Sequence, residues 1–226
     1  HQFSKKEDIE IAGFLAATIA WGQRPTIIKN ANELMKRMDF SPHDFIVNHT
    51  KKDLLRFKNF KHRTFNEIDC MFFLKSLHTI YKQYKSLENI FIGANAKEAI
   101  TNFRKVFFSI QHPSRTSKHI ANPEANSSAK RLNMFLRWMV RKDNCGVDFG
   151  IWNTISMSEL MCPLDVHSGN MARQLDLLGR KQNDWQAVEE LTNRLRKFDA
   201  NDPVKYDFAL FVLGVAPPKS FSLERI

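Results

Sequence analysis

Apolar residues recur at spacings of three and four along most of the chain, a period that predicts helices. In the first such segment, residues 5–22, acids occupy the first turns and a glycine lies near the end, as is typical of a helix. The same spacing recurs in residues 24–38, 65–86, 96–110, 129–142, 167–178, 184–198 and 202–215. Strand-like alternation bounded by turn dipeptides is absent. The pattern therefore predicts an all-α protein.

Two stretches interrupt the helical pattern. Residues 111–130 are crowded with Pro, Ser, Asn and basic side chains, which predicts an exposed basic loop before a helix that begins at Lys130. A second irregular stretch, residues 143–163, leads to Asp165. We expect a single helical domain over residues 1–226, with two lobes of that domain meeting around these loops as the alternative.

Composition places the chain among folded soluble proteins. Hydrophobic residues make up 43% and charged residues 26% of the 226 positions. No apolar run approaches 18 residues, and the start lacks both Met and a signal-like segment, so we expect no membrane span and a true N-terminus further upstream. Cys70, Cys145 and Cys162 are far apart and odd in number, which predicts neither a disulfide framework nor a metal knuckle and fits a reducing cytoplasm.

The charge balance indicates what the protein binds. Thirty-four Lys and Arg against twenty-four Asp and Glu give a formal charge of +10, the balance expected of a chain that meets polyanions such as nucleic acid. Common catalytic signatures are absent: no HExxH pair, no phosphate-binding glycine loop and no Gly-x-Ser-x-Gly elbow. His167 has no partners for zinc, so helix capping or phosphate contact is its expected role, and we expect no metal site.

Asp165 stands at the start of a predicted helix. Pro163 disfavours helix in the residue before it, and the apolar spacing after Asp165 indicates a helix that begins there. A carboxylate at that position would accept backbone N–H bonds and lie at the positive end of the helix dipole. One reading is that Asp165 only caps the helix. The other is that the chain positions its carboxylate for chemistry.

The segment PLDVHSGNMARQLDLL, which contains Asp165, resembles the one that carries the essential aspartate in the helix-hairpin-helix DNA glycosylases of the endonuclease III and 8-oxoguanine glycosylase superfamily. SSAKRLNMFLRWMV is similar to the helix that follows the hairpin and bears the catalytic lysine of bifunctional members, with Lys130 at that position. FLAATIAWGQRPTIIKNANELMKRM looks like the early helix pair, with Gln23 between the helices. The similarity covers about three quarters of the chain. The chain also resembles a bacterial family of unknown function.

Two features depart from the superfamily pattern. The usual hairpin has glycines that expose backbone N–H groups to a phosphate, whereas this chain has NPEANSSAK, in which Asn and Ser also make turns and tolerate the left-handed region. The 35 residues from Lys130 to Asp165 exceed the usual gap and are closer to that of the archaeal 8-oxoguanine DNA glycosylases. No C-terminal set of four cysteines follows, so no iron–sulfur cluster is expected.

The resemblance implies a fold, a reaction and a set of site residues. The fold would be helix-hairpin-helix glycosylase-like, with two helical lobes around a central groove. The reaction would be removal of an oxidised base such as 8-oxoguanine from double-stranded DNA, without cofactor, by a nucleoid-associated monomer. Asp165 would stabilise positive charge at C1′, and Lys130 would attack C1′ to form a Schiff base that permits AP-lyase cleavage.

The remaining candidates would bind the substrate. A flipped base needs aromatic stacking and edge hydrogen bonds, and DNA phosphates need cations. The expected base pocket comprises Gln23, Trp21, Trp152 and Phe149, with Phe208 and Phe211 as further stacking candidates. The expected contacts to the DNA backbone are Arg115, Lys118, His119, Arg131 and His167. Two alternatives remain open: a noncatalytic DNA-binding module that kept the glycosylase fold, which the missing hairpin glycines favour, and a helical protein-interaction scaffold.

Overall fold

The computed structural model describes residues 1–216 and is mostly helical, with a single two-stranded sheet in this part of the chain, so the all-α prediction is confirmed. The helices are α1 (Lys6–Thr18), α2 (Arg24–Arg37), α3 (Pro42–Asn48), α4 (Glu67–Tyr84), α5 (Ala96–Phe107), α6 (Lys130–Val140), α7 (Val166–Gln174), α8 (Trp185–Arg196) and α9 (Asp207–Val215). Short 3-10 helices connect several of them. A two-residue hairpin, β1 (Lys61–His62) with β2 (Phe65–Asn66), is the only sheet among these residues.

Helix boundaries follow the local signals in the sequence. Asn66 caps α4 with a capping box that includes Asp69, and Asp184 caps α8 by accepting the backbone N–H of Ala187. The periodicity missed α3 and the hairpin. Two-residue strands are too short to show alternation, and the hairpin turns through Arg63 at φ 55° rather than through a glycine, so the sequence offers no turn dipeptide there.

The chain divides into two compact units, each described by itself. The first unit comprises His1–Ala94 and Glu98–Ala121, and the second comprises Asn95–Lys97 and the chain from Asn122 onward. The division falls inside the segment 111–130 that was predicted to be one loop. The last ten residues of the predicted domain, 217–226, lie outside the described residues.

The core of the first unit is a cluster of phenylalanine rings. Phe14 on α1 stacks on Phe73 of α4 with ring centroids 5.8 Å apart and meets Phe103 of α5 edge-on at 5.3 Å. Phe107 packs edge-on against Phe73 at 4.8 Å. All four rings are fully buried, so much of the chain's phenylalanine content fills a core rather than a ligand pocket.

The first half of the predicted basic loop is fastened to the first unit. The fully buried carboxylate of Asp69 accepts hydrogen bonds from Arg115 at 2.8 Å and Thr116 at 2.8 Å, and His119 Nε2 lies 3.2 Å from it. Residues 114–119 form a 3-10 helix around this carboxylate. The expectation of an exposed loop is therefore wrong for Thr116 and His119, because both are buried beside the carboxylate of Asp69, to which Thr116 donates.

Arg137 of α6 and Arg141, the C-cap residue of that helix, organise the second unit. Arg137 donates to Asp148 at 3.2 Å and to Asp207 at 2.6 Å, and its side chain is almost fully buried. One turn later Arg141 pairs with Asp143, with Asp148 at 2.8 Å and with Asp202 at 2.9 Å. These ion pairs connect α6 to the irregular stretch 143–148 and to the segment that leads into α9.

We expect Arg137→Met to lower the free energy of unfolding of the second unit by about 3–5 kcal/mol, because it removes the cation paired with Asp207 and one of the two cations paired with Asp148. Urea unfolding followed by tryptophan fluorescence measures this, since three of the four tryptophans, Trp138, Trp152 and Trp185, belong to the second unit.

The matched control is Arg194→Met on the exposed face of α8, which should change stability by less than about 0.5 kcal/mol. Equal losses of stability in the two variants would contradict this prediction. They would show that removing any arginine costs as much as removing the buried ion pairs.

Candidate active site

Asp165 is the N-cap of α7, as the sequence predicts. Its Oδ1 accepts the backbone N–H groups of His167 at 2.9 Å and Ser168 at 3.0 Å, while Ser168 Oγ accepts the N–H of Asp165 at 3.0 Å. This reciprocal capping box fixes the side-chain rotamer of Asp165. One of the two carboxylate oxygens of Asp165 is thereby occupied by hydrogen bonds to the N-terminus of α7.

The other oxygen of Asp165 faces Lys130. Lys130 Nζ lies 3.7 Å from Asp165 Oδ2, and the two side chains are 30% and 24% exposed. An exposed fraction of this size leaves both groups accessible to a ligand from solvent. The two readings of Asp165 are therefore compatible, because the cap orients one oxygen and leaves its partner beside an amine.

Lys130 is the first residue of α6 and follows an unusual turn. Asn126 and Ala129 both adopt left-handed conformations, with φ of 61° and 48°, at the positions where glycines would be expected. Asp184 ties this turn to α8, since Asn126 Nδ2 donates to it at 3.0 Å and Ser127 forms a β-bridge with it. The turn therefore places Lys130 at a helix N-terminus by tertiary contacts rather than by glycine.

Asn183 holds the start of α7 from the other side. Its Nδ2 donates to the backbone carbonyl of Asp165 at 3.0 Å, and its Oδ1 accepts Arg173 Nη2 at 2.7 Å. Gly169 leaves room for this side chain, because a Cβ there would lie 2.8 Å from Asn183 Oδ1. Asn183 is a positioning residue that the sequence did not reveal, since its partner is a backbone carbonyl 18 residues away.

Helix α9 packs against the first turn of α7. A Cβ on Gly214 would come within 2.4 Å of the carbonyl oxygen of His167, so the two backbones touch at a glycine. The ring of Phe211 contacts the ring of His167 edge-on at 6.2 Å, and Arg137 lies over Phe208 at 4.5 Å. Both phenylalanines remain exposed, so they present aromatic surface beside the helix that carries Asp165.

A second carboxylate, Asp207, lies within electrostatic range of the pair. Burial raises the pKa of Asp207 to about 6, an effect that outweighs the opposing attraction of Arg137 and, more weakly, of Lys130. The charge of Asp165 raises the pKa of Asp207 further. Asp207 therefore changes its charge near neutral pH, close to Lys130. Sequence reasoning missed this residue, which appears in the sequence only as an acid at a helix start.

The other residues predicted in the second unit have different surroundings. Trp152 is 1% exposed and packs edge-on against Phe135, so its ring belongs to the core. Phe149 is half-buried, and its backbone N–H donates to Trp138. Arg131 is half-buried, and burial lowers its pKa. His167 is exposed.

The first unit holds the remaining predicted residues. Gln23 is exposed at the N-cap of α2 and makes no capping bond, and Trp21 lies half-buried two residues before it. Lys118 is exposed. Arg115 donates to Asp69, and the ring of the buried His119 lies 3.2 Å from the same carboxylate, so both side chains face a partner inside the protein.

Residues 1–216 contain neither a metal-binding cluster nor a membrane-spanning helix. No group of three or more His, Cys, Asp and Glu side chains there could hold a metal ion. None of the described helices combines the length and apolar character that crossing a membrane requires.

The fold and site together define an all-α protein in which a lysine and a capping carboxylate from two helix N-termini form a partly exposed pair. Comparison with known families then assigns the chain to a family. It matches the family model described as "Protein of unknown function (DUF2400)" over residues 1–216, and it belongs to that family. No curated protein and no solved structure matches it.

Replacing Asp165 separates its two roles. We expect Asp165→Ala to cost about 1 kcal/mol of stability through loss of the cap, and Asp165→Asn to cost less than about 0.5 kcal/mol because the amide oxygen still accepts the two N–H groups. Urea unfolding measures both. Equal losses in the two variants would contradict the assignment of Oδ1 to the cap.

The raised pKa of Asp207 predicts a pH dependence of stability. The folded state holds a proton on Asp207 up to about pH 6, whereas the unfolded chain releases it near 3.8, so the stabilisation is complete below pH 3.8 and is lost as pH rises through 6. Relative to Asp207→Asn, the wild-type protein should therefore lose on the order of 2 kcal/mol between pH 4 and 7. Parallel stability curves for the two proteins would show that burial does not raise this pKa.

Proposed function

We propose that this protein is a DNA glycosylase of the helix-hairpin-helix type with AP-lyase activity, acting on an oxidised base such as 8-oxoguanine. Three features support the proposal: the resemblance of the Lys130 and Asp165 segments to those of the superfamily, the two left-handed residues in the turn before Lys130, and the charge of +10. The helix-hairpin-helix fold is part of the proposal.

The observation that carries the proposal is the pairing of Lys130 with Asp165. Their reactive atoms lie 3.7 Å apart although 35 residues separate them, and both remain partly exposed. An ion pair that served stability alone would contribute little at this exposure, about 0–1 kcal/mol. The arrangement instead suits an amine and a carboxylate that act on the same sugar carbon, the amine as nucleophile and the carboxylate as the stabilising anion.

The chemistry follows from these two groups. The lone pair of Lys130 Nζ forms a bond to C1′ of the damaged nucleotide, while the electrons of the glycosidic bond leave with the base, which takes up a proton. The amine passes its own proton to Asp165. Asp165 returns this proton to O4′ as the C1′–O4′ bond opens to give an iminium ion, and removal of a C2′ proton then expels the 3′ phosphate. During base departure, Asp165 also stabilises positive charge on the sugar.

The extruded base needs a stacking partner close to the reacting atoms. Phe211 and Phe208 are exposed on α9, which packs against the helix that Asp165 caps, and they are better placed for stacking than the buried Trp152. Gln23 and Trp21 belong to the first unit, and their contact with a base stays a prediction.

Borohydride trapping tests the proposal. The protein is incubated with duplexes that carry 8-oxoguanine, an oxidised pyrimidine, uracil or an abasic site, and borohydride reduces any imine to a stable adduct visible on a denaturing gel. We expect an adduct with wild type and none with Lys130→Ala. Asp165→Asn should reduce the rate of adduct formation by about 100-fold or more while the protein stays folded.

Lys197→Ala is the matched control, because Lys197 is an exposed lysine of the same unit. This variant should form the borohydride-trapped adduct at the wild-type rate. Adduct formation that survives Lys130→Ala would assign the nucleophile to another amine. Absence of any adduct or base release from folded wild-type protein would refute the glycosylase and favour a DNA-binding module, a reading that the lack of hairpin glycines already supports.

A further inference from the structure

Most of the excess positive charge of the chain lies in the first unit. That unit contains nineteen Lys and Arg against eleven Asp and Glu, and so accounts for eight of the ten excess charges, although Lys130 and Asp165 belong to the second unit. The densest part is residues 51–63, with six Lys and Arg against one acid. The pairing of Lys130 and Asp165 leaves this charge unexplained.

Residues 51–63 form an anchored surface rather than a loose basic tail. Phe57, Phe60 and His62 are buried, while the cations between and beside them are exposed. Two hydrogen bonds from side chains of α2 anchor the backbone of this segment. Arg37 donates to the carbonyl of Arg56 at 2.8 Å, and Asn30 donates to the carbonyl of Lys61 at 3.5 Å. The exposed cations are therefore fixed to a rigid support.

The tip of this segment is fastened to the connection between α1 and α2. His62 Nε2 lies 3.0 Å from the carbonyl oxygen of Trp21, its ring meets the Trp21 ring edge-on at 5.7 Å, and its Nδ1 lies 2.9 Å from Asn30 Nδ2. His62 is 1% exposed. The hairpin and the residues before α2 thus form one continuous surface, which we call the basic corner: residues 21–24 together with Lys61 and Arg63.

Arg63 is the centre of the basic corner. Its guanidinium lies over the Trp21 ring at 4.9 Å from the centroid. Gly22 has a φ of 103°, and a Cβ there would lie 3.1 Å from the Arg63 side chain, so glycine permits this approach. The guanidinium is held against an aromatic face with its N–H groups available to an anion.

The cations of the basic corner have no acidic partner. Arg24, Lys61 and Arg63 are exposed and form no ion pair within residues 1–216. By contrast, Arg56 and Arg115 of the same unit are paired with aspartates. Cations without an acidic partner among the described residues repel one another when they share a surface, and a polyanion would relieve that repulsion.

We propose that the basic corner binds the phosphodiester backbone of double-stranded DNA, with Arg24, Lys61 and Arg63 on the phosphates and Gln23 facing the bases. The identity of the polyanion as DNA rests on the proposed function, whereas the corner itself is independent of Lys130. Arg115 and His119, which the sequence suggested for this task, are bound to Asp69. The basic corner would contact the DNA backbone through side chains that form no ion pair among residues 1–216.

The experiment measures binding of a fluorescein-labelled duplex that contains a tetrahydrofuran abasic analogue, which cannot be cleaved by the proposed lyase. Anisotropy titrations are run from 50 to 300 mM salt for the full chain. The variant Arg24→Gln/Lys61→Gln/Arg63→Gln should weaken binding by about tenfold or more at low salt and lower the salt slope by about 2.7, since each phosphate contact contributes about 0.9.

The matched control removes the same charge elsewhere on the same unit. Lys75 and Lys82 on α4 and Lys105 on α5 are exposed and form no ion pair in the described part of the chain. Lys75→Gln/Lys82→Gln/Lys105→Gln should keep the wild-type salt slope. Melting curves by circular dichroism establish that both variants are folded.

Each outcome decides the proposal. A loss confined to the corner variant supports it, even when trapping fails, in which case the glycosylase is refuted and a DNA-binding surface remains. Equal losses of DNA affinity in the two variants would show that only the net charge matters and would overturn the proposal, even if Lys130 forms the trapped adduct normally. No binding by wild type, or tighter binding to an RNA duplex of the same sequence, would also overturn it.

Discussion

The second unit depends on the buried ion pairs that α6 makes through Arg137 and Arg141. A buried aspartate such as Asp148 is costly to desolvate, and it is tolerated because two guanidinium groups donate to it from successive turns of one helix. The same arginines reach Asp202 and Asp207, so the position of α9 is coupled to the position of α6. Any displacement of α6 would leave several charges unpaired at once, which makes this helix a rigid support.

A rigid α6 matters because the candidate chemistry lies at its N-terminus. Lys130 precedes Arg137 by two turns on the same side of the helix, so the ion pairs that fix the helix also fix the direction from which the amine approaches Asp165. Asp165 is fixed in turn by its capping box and by Asn183. Both reactive groups are thus oriented by contacts that do not involve a substrate, which is the preorganisation that catalysis requires.

The two units differ in net charge, in keeping with the two proposals. The second unit is almost electrically balanced, with Arg137, Arg141 and Arg180 paired with aspartates, and it holds the lysine–carboxylate pair. The first unit carries the excess positive charge on an aromatic core and exposes it at the basic corner. A chemical site benefits from fixed, internally compensated charges, whereas binding a polyanion needs uncompensated ones. The two proposals therefore use different parts of the molecule and fail independently.

The sequence by itself determined the helical class, the positions of the long helices and the cap at Asp165, because periodicity, proline and capping signals act over a few residues. It also singled out Lys130 and Asp165. It could not find the hairpin, whose strands are two residues long, or the role of Asn183, whose partner is a backbone carbonyl. It misjudged His119 as surface, since only the fold reveals the buried Asp69 beside it. Tertiary structure alone decided which cations are paired, because ion pairs between distant residues leave no pattern along the chain.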